Sequence, residues 1–119
     1  MSAEIHVDAD AVSHDLCAVL SQVTQDGRAV TLTQGYLRVA DASAPGPRSV
    51  AMRAICATVP AGAALRLSLQ AASFPAFAVN PGSGAGAAEA RLIDCRVVTL
   101  ALYGGGARAS RLMLPVEAT

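Results

Sequence analysis

The chain has 119 residues, of which 53% are hydrophobic and 15% charged. This size and composition are typical of one globular domain with one core, so residues 1–119 are taken as a single domain. Nine basic residues, all arginine, balance nine acidic ones. A neutral chain offers no basic surface to nucleic acid or to an anionic membrane. No apolar run spans a bilayer and the first ten residues lack a signal-peptide pattern, so we expect a cytoplasmic location by default.

The first half of the chain predicts a β-hairpin. Residues 16–23 fit a strand, although their apolar positions also recur at helical spacing from about Asp10. Asp26-Gly27 is a strong hairpin signal because both residues tolerate positive φ. Residues 28–39 are rich in β-branched and aromatic side chains. We therefore favour a strand, a turn and a second strand over residues 16–39, with a bulge at Gly35.

The second half predicts further short strands between turns. Residues 41–49 form a loop by composition, residues 50–59 an apolar segment, and residues 60–63 a turn. In "LRLSLQ" at 65–70, leucines alternate with polar residues, as in a half-buried strand. A loop over 80–90, a long strand over 91–103, a glycine turn at 104–106 and a partner strand over 107–116 follow. This pattern favours an all-β antiparallel sandwich or barrel, with no helix required.

Catalytic motifs do not match. The string "GSGAG" at 82–86 has the wrong order for the nucleophile elbow G-x-S-x-G of a serine hydrolase, and it lacks the ending of a phosphate loop. The two histidines, His6 and His14, are both near the N-terminus. On a strand, His14 and Asp15 point to opposite faces, and we expect His14 to be a surface residue. No catalytic residue is assigned.

Two sets of side chains are candidates for a metal or redox site. His6, Asp8 and Asp10 alternate, so on a strand they share one face and could hold a divalent ion. We favour the solvated face of an edge strand, and therefore no metal and no cofactor. The three cysteines are odd in number and form no C-x-x-C pattern, so we expect small buried apolar residues rather than a disulfide or zinc site: Cys17, Cys56 and Cys95.

Three stretches, in this order, are similar to one family. Residues 13–39 contain Asp15, an Asp-Gly-Arg turn and a Gly-x-x-Arg ending at Arg38. Residues 59–84 contain a Pro-x-Gly turn, a strand, a Ser-x-Phe-Pro loop and an Asn-Pro segment, and residues 109–116 end in Leu-Pro-Val. Over about residues 5–116 the chain resembles the C-terminal β-sandwich domain of the cocaine esterase and X-Pro dipeptidyl-peptidase (CocE/NonD) family of serine hydrolases. Ser13 and His14 replace the family's usual Asp and Thr.

The resemblance implies a jelly-roll, galactose-binding-like sandwich that lacks its first strands. The family's Ser/Asp/His triad lies on a preceding α/β-hydrolase domain, so the resemblance implies that this chain is not itself catalytic. It implies packing on a catalytic domain or subunit that hydrolyses ester or peptide bonds, where the sandwich helps to shape the substrate cleft. The candidate contacts are Phe74, Pro75, Phe77 and Asn80. The alternative is a stand-alone jelly-roll binding or assembly module that forms homo-oligomers through exposed strand edges.

Overall fold

Two antiparallel sheets form a sandwich, which confirms the predicted fold class. The computed structural model describes residues 1–117, and within that range it contains no α-helix. One sheet has the order β4-β1-β6, with β7 also paired to β1, and the other has the order β3-β2-β5. The strands are β1 (Ser2–Ala9), β2 (His14–Val23), β3 (Ala29–Val39), β4 (Arg48–Ala51), β5 (Ala64–Gln70), β6 (Leu100–Tyr103) and β7 (Arg111–Met113).

The hairpin predicted over residues 16–39 is confirmed as β2 and β3. Gly27 takes a φ of 84°, which glycine adopts without steric cost. The bulge is not at Gly35, which pairs regularly with Ala18. The register shifts instead between Leu20 and Ser21, where Leu32 is the extra residue of β3. Gly35 has a different reason: a Cβ there would lie 2.1 Å from the carbonyl oxygen of Ala51, so β4 approaches this backbone closely.

The core lies between the sheets and follows strand alternation. On β1, Ala3, Ile5 and Val7 are buried, and on β2, Leu16, Ala18 and Leu20 are buried. Val50 of β4 and Met52 complete the buried cluster, and Leu67 and Leu69 of β5 pack against it. The prediction that 65–70 is a half-buried strand is therefore confirmed. Alternation has a second consequence, because it directs the odd-numbered residues of β2 away from the core.

Three further expectations from the sequence are wrong here. The long strand predicted over 91–103 shortens to β6, preceded by a 3₁₀ turn at Leu92–Asp94. The strand predicted over 107–116 shortens to β7, preceded by a 3₁₀ turn at Gly106–Arg108, and it pairs with β1 instead of forming the predicted hairpin with β6. Of the three cysteines only Cys17 is buried, whereas Cys56 and Cys95 are exposed. Cys56 and Cys95 lie in segments without strand pairing, where no second layer covers their side chains. No helix among residues 1–117 has both the length and the apolar character needed to cross a membrane.

Candidate functional site

A buried carboxylate organises the outer face of the β3-β2-β5 sheet. Asp15 is only 2% exposed although it points away from the core. Its Oδ2 accepts a hydrogen bond from the Tyr36 hydroxyl at 2.7 Å. Arg38 donates to both carboxylate oxygens, from Nε to Oδ1 and from Nη2 to Oδ2, each at 2.9 Å. Asn80 donates from Nδ2 to Oδ1 at 2.9 Å. We call these four side chains the Asp15 network.

The network holds Asp15 in its charged form. Burial raises the pKa of this carboxyl, but hydrogen bonds from Arg38, Asn80 and Tyr36 outweigh it, so the pKa lies below its usual value. The same contacts act on the donors in the opposite sense. Burial, together with the bond to Asp15, raises the pKa of Tyr36 to about 12. The bond to Asp15 also raises the pKa of Arg38. At neutral pH the network therefore contains a carboxylate, a guanidinium and a neutral phenol.

The loop that follows β5 is fastened to this network. Asn80 donates from Nδ2 to Ser13 Oγ at 2.8 Å as well as to Asp15, and its Oδ1 accepts from the Gly82 amide. Arg38 Nη2 donates to the carbonyl of Ala78 at 2.7 Å. The Phe77 ring stacks on Tyr36, with the ring centres 3.8 Å apart and the planes within 2° of parallel. The loop therefore crosses the outer face of β2 and lies against β3.

The outer side of this loop presents apolar side chains to solvent. Phe74 is 75% exposed, Val79 is 56% exposed and Phe77 is 42% exposed. The Phe74–Pro75 peptide is cis. A cavity of about 230 Å³ lies beside the loop, between Phe77 and Ser73 on one side and Tyr36 and Arg53 on the other. We call residues 73–80 the aromatic loop. Sequence analysis selected Phe74, Pro75, Phe77 and Asn80, and all four belong to it.

The four residues nevertheless differ in their surroundings. Phe74 and Pro75 are exposed and make no side-chain hydrogen bond, whereas Phe77 uses one ring face for Tyr36. Asn80 turns inward, and its side chain is hydrogen-bonded to Ser13, Asp15 and the Gly82 amide. Its geometry therefore suits it to positioning the loop, while Phe74 carries the free apolar area.

The expected solvated face of β1 is wrong in one respect. β1 is an interior strand, because β4 and β6 flank it in the sheet. Asp8 accepts two hydrogen bonds from Arg108 and one from the Tyr103 hydroxyl. Those bonds, led by the one from Arg108, lower the pKa of Asp8. The Arg108 guanidinium also lies 3.6 Å over the centre of the Tyr103 ring.

Asp10 likewise has a partner of its own, because its Oδ1 accepts from the Thr99 amide at 2.7 Å. Within residues 1–117, no group of three or more His, Cys, Asp or Glu side chains is placed to hold a metal ion. His6, Asp8 and Asp10 thus fasten β6 and its neighbouring segments to β1, with His6 contributing its amide, which donates to Ser110 Oγ at 3.0 Å.

His14 is not the surface residue that the sequence predicts. It is 3% exposed and lies opposite Val39 on the inner side of the sheet. Its Nδ1 has no hydrogen-bond partner among the described residues. Burial lowers the pKa of this imidazole, so the neutral form is favoured. His14 and Asp15 do point to opposite faces, as alternation predicts.

Sequence analysis noted Asp15 and Arg38 as separate motif positions but did not join them. Tyr36, the third partner, was missed as a functional side chain. The signal that could have joined Asp15 to Arg38 is the pairing of β2 with β3, which places the two directly opposite each other. A carboxylate and a guanidinium opposite each other on one sheet face form a favourable cross-strand pair.

Comparison with known protein families gives a match over most of the chain. The family model described as the X-Pro dipeptidyl-peptidase C-terminal non-catalytic domain matches residues 1–113. No curated protein matches the chain. The match covers both sheets, the Asp15 network and the aromatic loop.

Proposed function

The chain belongs to the X-Pro dipeptidyl-peptidase C-terminal non-catalytic domain family, and from that premise we propose that its aromatic loop packs against an α/β-hydrolase catalytic domain and forms part of the wall of the substrate cleft. A domain of this family is associated with a catalytic domain and performs no catalysis itself. The observation that carries the proposal is Phe74, which is 75% exposed on a loop held firmly at its other end.

Exposure of a large aromatic side chain favours a protein contact. Aromatic residues dominate the energetics of interfaces, where each buries a large area with few rotatable bonds. Phe74, Phe77 and Val79 place three apolar side chains within six residues. Together with the exposed Pro75 they form an apolar surface of the kind that marks an interaction site.

The Asp15 network supports the same proposal because it preorganises the loop. Asn80 and the Ala78 carbonyl are each bound to the sheet by hydrogen bonds from or to charged groups. Such bonds are stronger than neutral ones. A loop that is already ordered loses less conformational entropy when a partner covers it. A fixed loop is also what a cleft wall requires, because a substrate contact displaced by about 1 Å can cost 100-fold in rate.

A binding experiment with separate domains tests the proposal. The chain is titrated against an α/β-hydrolase catalytic domain of this family, and the dissociation constant is measured by calorimetry for the wild type and for Phe74→Ser. We expect Phe74→Ser to weaken binding by at least tenfold, as for a central interface aromatic. Val30→Ser is the matched control, because Val30 is 51% exposed at the far end of β3.

The cleft contribution has its own readout. At saturating concentrations of the Phe74→Ser chain, all of the catalytic domain is in the complex despite the weaker binding. Any remaining change in KM for a small ester substrate then reports the loss of the Phe74 side chain from the cleft wall. Equal binding of wild type, Phe74→Ser and Val30→Ser would contradict packing through the aromatic loop. Weakened binding with an unchanged KM would support packing but contradict the cleft wall.

A further inference from the structure

We infer that strand β5 is a self-pairing edge, through which two copies of this chain join into a symmetric dimer. β5 pairs with β2 along its whole length, from Cys17–Gln70 to Val23–Ala64. Its other edge has no strand partner within residues 1–117. An unpaired edge presents free amide and carbonyl groups, which pair readily with another strand.

The sandwich is also open beside this edge. An apolar groove with a volume of about 240 Å³ lies between the two sheets, at the side of the sandwich where β5 and β6 are the outermost strands. Leu16, Leu69, Leu100 and Leu102 line it. Two of the flanking side chains remain substantially in solvent, Leu65 at 42% and Leu102 at 48%. The radius of gyration, 16.0 Å, exceeds the value of about 13.5 Å expected for a closed domain of this length.

The sequence of β5 fits a second copy of itself. In an antiparallel pair centred on Leu67, which is the middle residue of Ala64–Gln70, Leu67 faces Leu67 and Leu65 faces Leu69. On the other side of the strand Arg66 faces Ser68. This register uses all seven residues, places leucine against leucine on the core side, and sets no like charges directly opposite each other. Centring on Arg66 would oppose two guanidinium groups.

The symmetry of this pairing also closes the groove. A two-fold axis perpendicular to the sheet, as two edge strands require, extends β3-β2-β5 into one six-stranded sheet. The same axis brings the β6 side of one copy next to the β6 side of the other, so the two apolar grooves meet and cover each other. The net charge of the chain is zero. Electrostatic repulsion therefore opposes the association only weakly.

This edge is distinct from the aromatic loop, which lies across the outer face of β2 and β3. Dimerisation and packing on a catalytic domain can therefore succeed or fail independently. A dimer that no longer binds a catalytic domain would speak against the loop proposal alone.

Charge substitutions at Ser68 test the inference with effects of opposite sign. Ser68→Arg places two guanidinium groups opposite each other at both symmetric positions, whereas Ser68→Glu creates two opposite-charge pairs with Arg66. Sedimentation equilibrium of the purified chain should give a dimer for the wild type. From the size of cross-strand pair effects, we expect the dimer dissociation constant to rise roughly 2- to 30-fold for Ser68→Arg and to fall by a similar factor for Ser68→Glu.

A double variant provides the rescue. Arg66→Glu combined with Ser68→Arg restores opposite charges across the two-fold axis, so dimerisation should return towards the wild-type strength. A wild-type monomer at every concentration would overturn the inference. A dimer whose dissociation constant is unchanged by either substitution at Ser68 would also overturn it, because the interface would lie elsewhere. If circular dichroism shows Ser68→Arg to be unfolded, the test rests on Ser68→Glu, for which the dimer dissociation constant should fall.

Discussion

Asp15→Asn should destabilise the chain far more than the loss of one surface charge would. Asn and Asp have the same shape, but Asn offers one acceptor oxygen and places an NH₂ group where the other oxygen stood. Asp15 accepts four hydrogen bonds in the network, two at each oxygen. At least the bond from Tyr36 or the bond from Asn80 is then lost, and a donor is left facing a donor.

The size of the effect follows from the burial of each partner. A hydrogen bond to a charged group contributes about 1.5–3 kcal/mol. The Arg38 side chain is 36% exposed, so water and ions compensate for much of its loss, and we add only about 0–1 kcal/mol for it. The expected loss of stability is therefore about 2–4 kcal/mol, a large share of the roughly 5–15 kcal/mol of a typical domain.

Urea unfolding at neutral pH and one fixed protein concentration measures this loss. With a slope of about 1–3 kcal/mol/M, the midpoint should fall by about 0.7–4 M. Asp94→Asn is the control, because Asp94 forms an ion pair with Arg91 in which both side chains are substantially exposed, at 41% and 79%. Its midpoint should barely move. Equal midpoints for Asp15→Asn and Asp94→Asn would refute the reasoning that the buried network stabilises the sheet.

Three other predictions concern single groups. Because the folded pKa of Asp15 lies below the unfolded value of about 3.9, its contribution is complete above that value and is lost as the pH falls through the folded pKa. Urea midpoints between pH 7 and pH 3 should therefore fall more steeply for the wild type than for Asp15→Asn, and parallel curves would contradict this. Gly35→Ala should cost about 1–3 kcal/mol by thermal unfolding, because its Cβ would meet the β4 backbone at 2.1 Å; an unchanged melting temperature would show that β4 moves freely. A thiol reagent should label the exposed Cys56 and Cys95 quickly and the buried Cys17 only on unfolding. Mass spectrometry counts the labelled cysteines. Rapid labelling of all three would contradict the burial of Cys17.

The fold class was predictable because periodicity and turn chemistry agree over much of the chain. Asp26-Gly27 fixed the hairpin, and alternation in "LRLSLQ" fixed β5. The C-terminal strands were overpredicted because residues 91–99 are as apolar as a strand, yet the structure gives them no strand to pair with. Apolar composition indicates burial only where a second layer exists. Here Leu92, Ile93 and Val97 are 84–91% exposed.

The Asp15 network could not be predicted, and the reason is a single residue. Next to the turn, Val23 pairs with Ala29. If that register continued without interruption, Asp15 would lie opposite Leu37 and the two side chains would be mismatched. The extra residue Leu32 shifts the pairing by one, so that Asp15 lies opposite Arg38. A slip of one residue exchanges the faces of a strand, and nothing in the sequence marked residue 32 as its position.

The path of the chain after β5 accounts for both proposed surfaces, the aromatic loop and the free edge of β5. After Gln70 the chain leaves β5 and crosses the outer face of β2 to reach Tyr36 and Arg38 on β3. Had it instead turned back beside β5, it would have covered the free edge and left Asp15 without the bond from Asn80. Because the buried carboxylate draws Asn80 and Ala78 towards β3, the aromatic loop becomes fixed on one side of the sheet while the edge on the other side stays open. Release of the loop by Asp15→Asn should therefore increase hydrogen exchange at residues 76–80 without slowing it along β5.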